Sequence, residues 1–214
     1  MLNIHNLGNA DKQPGLYSTR EIDLMPLRPL FSPNEPQYPI NDGIYEQGET
    51  CWRIAHNKEP FDLHDLIDDF CNWYDRVIEL KGYQLTTKIS SDLPRYFQGN
   101  LLMLGFLLWD LASFTKGYLG AGGVNLEIHS EPFKRNWHSI YFSFMVPGLG
   151  IPLAKEKMLF LPNSNGKTSK KNHASSNLYY AGMIAGVLDG IIRIQNEIGF
   201  GTKYIAEICL QSKP

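Results

Sequence analysis

Between Phe142 and Pro152 the chain reads Phe-Ser-Phe-Met-Val-Pro-Gly-Leu-Gly-Ile-Pro. An apolar run is stopped within a few residues by Pro147, Gly148, Gly150 and Pro152. Proline removes a backbone donor, and glycine reaches conformations closed to other residues, so this run reads as a strand forced to end in a tight glycine turn. Ile140 to Met145 forms that strand. Val124 to Ile128 reads as its neighbour, joined through the polar turn Glu131-Pro132-Phe133-Lys134-Arg135-Asn136.

Helical spacing surrounds this hairpin. Asp62 is placed as an N-cap, and Leu63, Leu66, Ile67, Phe70, Tyr74, Val77 and Ile78 repeat on one face up to Leu80, with Gly82 ending the helix. Tyr83 to Ile89 alternates as a strand, and Ser91-Asp92-Leu93-Pro94 turns. Leu101 to about Lys116 makes a strongly apolar second helix, broken by Gly117, Gly120, Gly122 and Gly123. After Pro152 come a short helix to Phe160, a polar stretch from Asn163 to Asn177 and a third helix over Leu178 to Leu188. A closing hairpin runs from Ile191 to Gln195 and from Tyr204 to Leu210. Interleaved helices and antiparallel hairpins predict an α+β two-layer α/β sandwich, with helices on one face of a mixed sheet.

The first 45 residues behave differently. They hold six of the 13 prolines and show no periodicity, so residues 1–59 are read as an extended N-terminal arm and 60–214 as the domain. Leu24, Met25, Leu27, Leu30 and Phe31 would be costly to leave in water, which predicts that this part of the arm lies against the domain, a protein partner or a second subunit. The formal charge of -2 gives no field for a nucleic acid. Cys51, Cys71 and Cys209 are odd in number and far apart, and the first residues do not read as a signal peptide, so a reduced, cytoplasmic chain is expected. The most apolar run, Leu101 to Leu108, is too short to cross a membrane.

From about Phe61 to Leu210 the order of elements and their punctuation resemble the ATP-binding domain of sensor histidine kinases, within the histidine-kinase, gyrase and chaperone type of ATPase. The resemblance is carried by Phe61-Asp62-Leu63-His64-Asp65-Leu66-Ile67, by Leu80 to Leu85 followed by Asp92-Leu93-Pro94, by Gly148-Leu149-Gly150-Ile151-Pro152, by Leu188-Asp189-Gly190-Ile191-Ile192 and by Gly199-Phe200-Gly201-Thr202. It implies a nucleotide pocket with an acid reading adenine, an asparagine holding magnesium, and glycine turns beside the phosphates.

Several of those parts are missing. Val146 stands where the resemblance implies the adenine acid, and it offers no acceptor. An ungapped register from Gly99-Asn100 to Gly122-Gly123 puts Phe114 at the magnesium asparagine; matching Phe114-Thr115 to the family's F-T puts Asp110 there instead. The ungapped register is preferred because it needs no compensating shifts. His173-Ala174-Ser175-Ser176-Asn177-Leu178 occupies the second glycine motif and keeps none of its glycines. Each lost buried partner costs about 1–3 kcal/mol. Val146, Phe114, Asp110, Gly148 and Gly150 therefore outline a vestigial pocket, with no bound cofactor and no metal expected. A phospho-accepting histidine on a helical hairpin is also lacking: His5 and His56 sit outside any long helix, and His64 lies on the domain's own first helix.

Other motifs have plainer readings. Gly166-Lys167-Thr168-Ser169 ends like a phosphate loop, but Leu161 stands where its first glycine belongs. Lys167, Lys170 and Lys171 in that stretch are candidates for contacting an acidic partner, beside the ordinary reading of solvated charge. Asp62, Asp65, Asp68 and Asp69 suit a helix start. Trp73, Trp109 and Trp137 read as packing residues, with Trp52 a candidate for docking the arm. His129 and His138 straddle the hairpin turn and are placed to approach each other, without further ligands for zinc.

The resulting expectation is a catalytically inactive relative of the histidine-kinase ATPase domain. It would bind a kinase, response regulator or sigma-factor partner, with a homodimer left open. The alternative is a divergent ATP/Mg-binding protein or kinase using Asp110, and a third reading is a phosphotransfer protein.

Overall fold

A computed structural model describes residues 58–116, 122–156, 158–161 and 178–213. Strand β1 (Glu59–Asp62) leads straight into helix α1 (Leu63–Glu79). The join is made by Asp62, whose backbone is extended and whose carboxylate Oδ1 accepts the N–H groups of His64 at 3.0 Å and Asp65 at 3.2 Å. Those two donors would otherwise lack partners in the first turn. Arg95 braces the cap from outside, reaching Asp62 at 2.6 Å and Asp65 at 2.9 Å. The expected acidic helix start is thus partly ion-paired. At the other end Gly82 takes φ +78°, and its N–H donates to Glu79 C=O at 2.8 Å.

Leu63, Leu66, Ile67, Phe70, Tyr74 and Ile78 are buried as the spacing predicts, and Trp73 joins them. Phe70 stacks on Tyr74 and meets Phe144 of the sheet edge-on at 6.1 Å, a geometry favoured by aromatic quadrupoles. Helix α2 (Leu101–Lys116) packs beside α1, started by Asn100 accepting the Met103 N–H at 2.9 Å. Beside it lies the later helix α4 (Tyr179–Val187), and the brief α3 (Leu153–Glu156) precedes it.

The other strands are β2 (Leu85–Ile89), β3 (Tyr96–Gly99), β4 (Val124–Lys134), β5 (Trp137–Pro147), β6 (Ile191–Glu197) and β7 (Gly201–Ser212). They form one sheet in the order β1-β3-β7-β5-β4-β2, with β6 pairing β7 beside β3. The β2–β4 pair is parallel and the remaining pairs are antiparallel, so the sheet is mixed, as expected. Thr202, Tyr204, Ala206, Ile208 and Leu210 alternate along β7 toward the helices and are all buried. The α+β two-layer arrangement holds.

Several details differ from expectation, among them the helix after Pro152, which ends at Glu156 and not at Phe160. The polar segment 131–136 is mostly strand: pairing runs to Lys134↔Trp137, with a bulge between Pro132 and Lys134. Pro132 is tolerated because β2 pairs with β4 only as far as Ile128, leaving the far edge of β4 open there. Strands β1 and β3 were not anticipated, and β1 begins at Glu59, across the expected boundary at residue 60. His129 and His138 do not meet. His129 opposes Tyr141 and stacks on it at 4.6 Å, whereas His138 opposes Pro132 and Leu210 on the other face of β5 and meets Phe97 edge-on.

Candidate functional site

The glycine turn after β5 lies at one end of the sheet against the β6–β7 hairpin. Val146 is 2% exposed and opposes Thr202. The strands come close enough that a Cβ on Gly201 would lie 2.3 Å from Val146 C=O, so this position admits glycine alone. The turn is laced to the hairpin by two backbone bonds, Gly148 N–H to Phe200 C=O at 3.2 Å and Gly199 N–H to Leu149 C=O at 3.0 Å.

Asn196 holds the rest. Its Oδ1 accepts the Ile151 N–H and the Thr202 hydroxyl, each at 2.8 Å. Its Nδ2 donates to Ile151 C=O at 2.8 Å and to Glu156 Oε2 at 3.0 Å. The amide therefore uses both acceptor sites and both donors. Gly150, at φ +76°, lets the turn approach: a Cβ there would stand 2.9 Å from Asn196 Oδ1 and 3.0 Å from Glu197 C=O. Asn196 escaped the sequence reading, which stopped the strand at Gln195. A signal existed, because Ile192, Ile194 and Asn196 share one face, and a polar residue at an inward position requires partners.

Phe114 is fully buried and meets Tyr204 edge-on, 5.0 Å between centroids, one rung along β7 from the Val146–Thr202 pair. It is part of the helix–sheet core. Asp110, one turn earlier on α2, is 7% exposed. The structure thus gathers Val146, Gly148 and Gly150 at the turn and sets Phe114 beneath the neighbouring rung. Leu24, Met25, Leu27, Leu30, Phe31, Lys167, Lys170, Lys171 and the segment 173–177 lie outside the described residues.

The other singled-out side chains have local roles. His64 Nε2 lies 3.1 Å from Leu93 C=O, tying α1 to the turn before β3. Among the described residues, no group of three or more His, Cys, Asp or Glu side chains is arranged to hold a metal ion. No helix among them is long and apolar enough to cross a membrane. Burial pushes the Cys71 thiol up to about 11, outweighing the lowering by the Thr87 hydroxyl. Burial likewise raises Tyr74, whose hydroxyl pairs with Thr115.

No protein-family model matches the chain. Among curated proteins it is similar to the aerobic respiration control sensor protein ArcB homolog of Haemophilus influenzae, 25% identical over 126 residues, which is 59% of this chain and 37% of that protein. It is also similar to the adaptive-response sensory kinase SasA of Prochlorococcus marinus, 25% identical over 169 residues, 76% of this chain and 43% of that protein. The chain spans less than half the length of these relatives. Among solved structures, full-length ShkA in complex with AMPPNP superposes with a TM-score of 0.59 at 19% identity, over 73% of this chain and 32% of ShkA. Together they establish a histidine-kinase-related fold.

Proposed function

We propose that this chain is a histidine-kinase-type domain that has given up nucleotide binding and works as a protein-interaction module in bacterial two-component signalling. The observation that carries the reading is the filling of the turn. Val146 supplies a buried hydrocarbon where an adenine-reading acid is implied, and the Thr202 hydroxyl opposite it is committed to Asn196. Adenine entering here would find no acceptor on Val146 and would have to displace a satisfied amide network, and each such buried loss costs about 1–3 kcal/mol. Similarity to a sensor protein and to a sensory kinase supports the signalling context. Partners of that context are receiver domains and kinases, and a cytoplasmic location follows from it.

Calorimetry with ATP and Mg²⁺, followed by binding of purified receiver domains and kinases from the same cell, tests the reading. No nucleotide heat and saturable binding to one such protein are expected. Micromolar ATP binding would overturn the first half, and failure to bind any of them the second.

One observation favours the divergent ATP-binding alternative. Phe114 is packed into the core against Tyr204, and Asp110, one turn earlier on α2 and 7% exposed, is the carboxylate that would serve magnesium under this alternative. Nucleotide binding abolished by Asp110→Ala would establish it.

A further inference from the structure

Strand β6 is an open edge of the sheet. It pairs with β7 on one side, and antiparallel geometry turns the N–H and C=O groups of alternate residues to the other side. Among the described residues no backbone group of another strand meets them there. Such an edge is ordinarily blunted by proline, a bulge, free charge or a covering segment. Ile-Ile-Arg-Ile-Gln-Asn-Glu has no proline and pairs with β7 in unbroken register, its arginine is paired with Glu207, and Ile191 is 50% exposed.

The register of the sheet fixes what lies in line with that edge. β1 is antiparallel to β3 and β3 to β7, so β1 runs parallel to β7 and opposite to β6. Glu59 pairs with Gly99, and Gly99 follows Gln98, which pairs with Gln211. Glu59 is therefore level with Leu210, whose side chain would lie 3.0 Å from a Cβ on Gly99. Ile191 pairs with Glu207, three residues back along β7. Because β1 stands two strand positions out from β7 and β6 only one, the chain before β1, continued backward in line, runs beside the outer edge of β6. Lys58 has already reached that level: with Asn100, Cys209, Leu188 and Asp189 it walls a cavity of about 170 Å³ in the fork where β3 ends and β6 begins.

We propose that residues 52–56 dock on this edge as a further strand antiparallel to β6, with His56 opposite Ile191, Ile54 opposite Arg193 and Trp52 opposite Gln195. The composition suits it. Trp52-Arg53-Ile54-Ala55-His56 is free of proline and glycine and holds an aromatic and a β-branched residue, whereas Pro39, Gly43 and Gly48 interrupt the arm upstream. The tether favours it over any other occupant. Asn57 alone separates the segment from Lys58, so almost no loop entropy opposes the pairing, while a second copy or another protein must associate from solution.

The side chains agree with the register. Ile54 falls diagonal to the half-exposed Ile191 on the same face, and Trp52 falls diagonal to Arg193, where its ring can cover the guanidinium. Pairing stops at Gln195, because the glycine turn closes on the end of β6: a Cβ on Gly150 would lie 3.0 Å from Glu197 C=O. This inference is independent of whether the pocket binds nucleotide.

Amide exchange and disulfide trapping in the full chain test the pairing. The β6 amides that point away from β7 are expected to exchange slowly, and Ile54→Pro should speed them about tenfold or more while the β5–β7 amides stay protected. In a glutathione redox buffer, Ile54→Cys with Arg193→Cys should form a bridge within one chain, identified by peptide mapping. Ile54→Cys with Ile191→Cys, out of register, should not. Melting temperatures show that each variant folds, and exchange in the unaltered chain needs no variant. Fast exchange along the outer edge of β6 overturns the proposal, as does failure of the first pair to bridge. Bridges that join two chains overturn it as well, since they would make a second copy the occupant.

Discussion

Asn196 Oδ1 receives the Thr202 hydroxyl and the Ile151 N–H at the same 2.8 Å, so one side chain of β6 fixes both a strand of the sheet and the glycine turn that leaves it. The turn is therefore set before any partner arrives. The backbone groups of Ile151 are answered from within, by the Asn196 amide.

Replacing Asn196 with alanine should show how much that lacing contributes. The substitution leaves the Ile151 N–H and C=O and the buried Thr202 hydroxyl without their partner, and frees the Glu156 carboxylate, which can turn to water. With about 1–3 kcal/mol per buried group stranded, a loss of about 2–4 kcal/mol is expected. Urea denaturation of Asn196→Ala checks this, and an unchanged midpoint would mean that the turn is held by its backbone bonds alone.

Val146→Asp restores a carboxylate at the implied adenine position. It should not restore ATP binding, because Thr202 remains tied to Asn196 and the new charge sits at a site 2% exposed. An unpaired buried carboxylate costs about 3 kcal/mol or more, and the penalty should grow as pH rises through the range where the group ionises. Melting curves at pH 4 and pH 7 with and without ATP–Mg²⁺ read both effects. Nucleotide-dependent stabilisation of the variant would contradict the account of the pocket.

Two glycines with nearly equal torsion angles should respond differently to alanine. Gly82 and Gly123 have φ +78° and +72°, but a Cβ on Gly82 meets nothing within 4 Å, whereas on Gly123 it would lie 2.2 Å from Gln84 C=O. That carbonyl accepts the Val124 N–H where β2 and β4 begin to pair. Gly82→Ala should cost only the left-handed backbone strain, about 1 kcal/mol. Gly123→Ala should cost at least twice that, because backbone must move. Chemical denaturation of the pair decides it, and equal losses would show that the β2 end yields freely.

Much of the fold was legible because its signal is periodic. Leu63 to Ile78 repeats often enough along α1 that one buried face is forced, and the alternation along β5 and β7 does the same for the sheet. Strands β1 and β3 were not legible. Each is four residues long, and each sends one aromatic fully inward, Phe61 and Phe97, whose rings lie 6.5 Å apart. A single buried residue has no period, so only the opposing strand reveals it. The site divides in the same way. Val146 could be placed from the glycines that follow it, but Asn196 acts from some fifty residues away in sequence, and its role exists only once β6 lies against the turn. The sequence register preferred Phe114 over Asp110 at the implied magnesium position. Packing shows that the phenyl ring belongs to the core.

Cys71 offers a check on α1 that depends on pH. Its thiol lies on the side of the helix facing β2, 3.8 Å from the Thr87 hydroxyl, and burial raises it from an ordinary 9.0 to about 11. The folded protein therefore keeps a proton that the unfolded chain releases above pH 9. The corresponding stability is complete below that pH and declines as pH rises from 9 toward 11. Reactivity follows the thiolate, so at pH 8 a shift of this size lowers the reactive fraction about a hundredfold relative to the unfolded chain. Mass spectrometry of the Cys71 peptide after iodoacetamide treatment, with and without urea, should show alkylation in the native protein slowed by about that factor. Equal rates in the two conditions would mean that the α1–β2 contact opens faster than the reagent reacts, and that this edge of the sheet is not closed in solution.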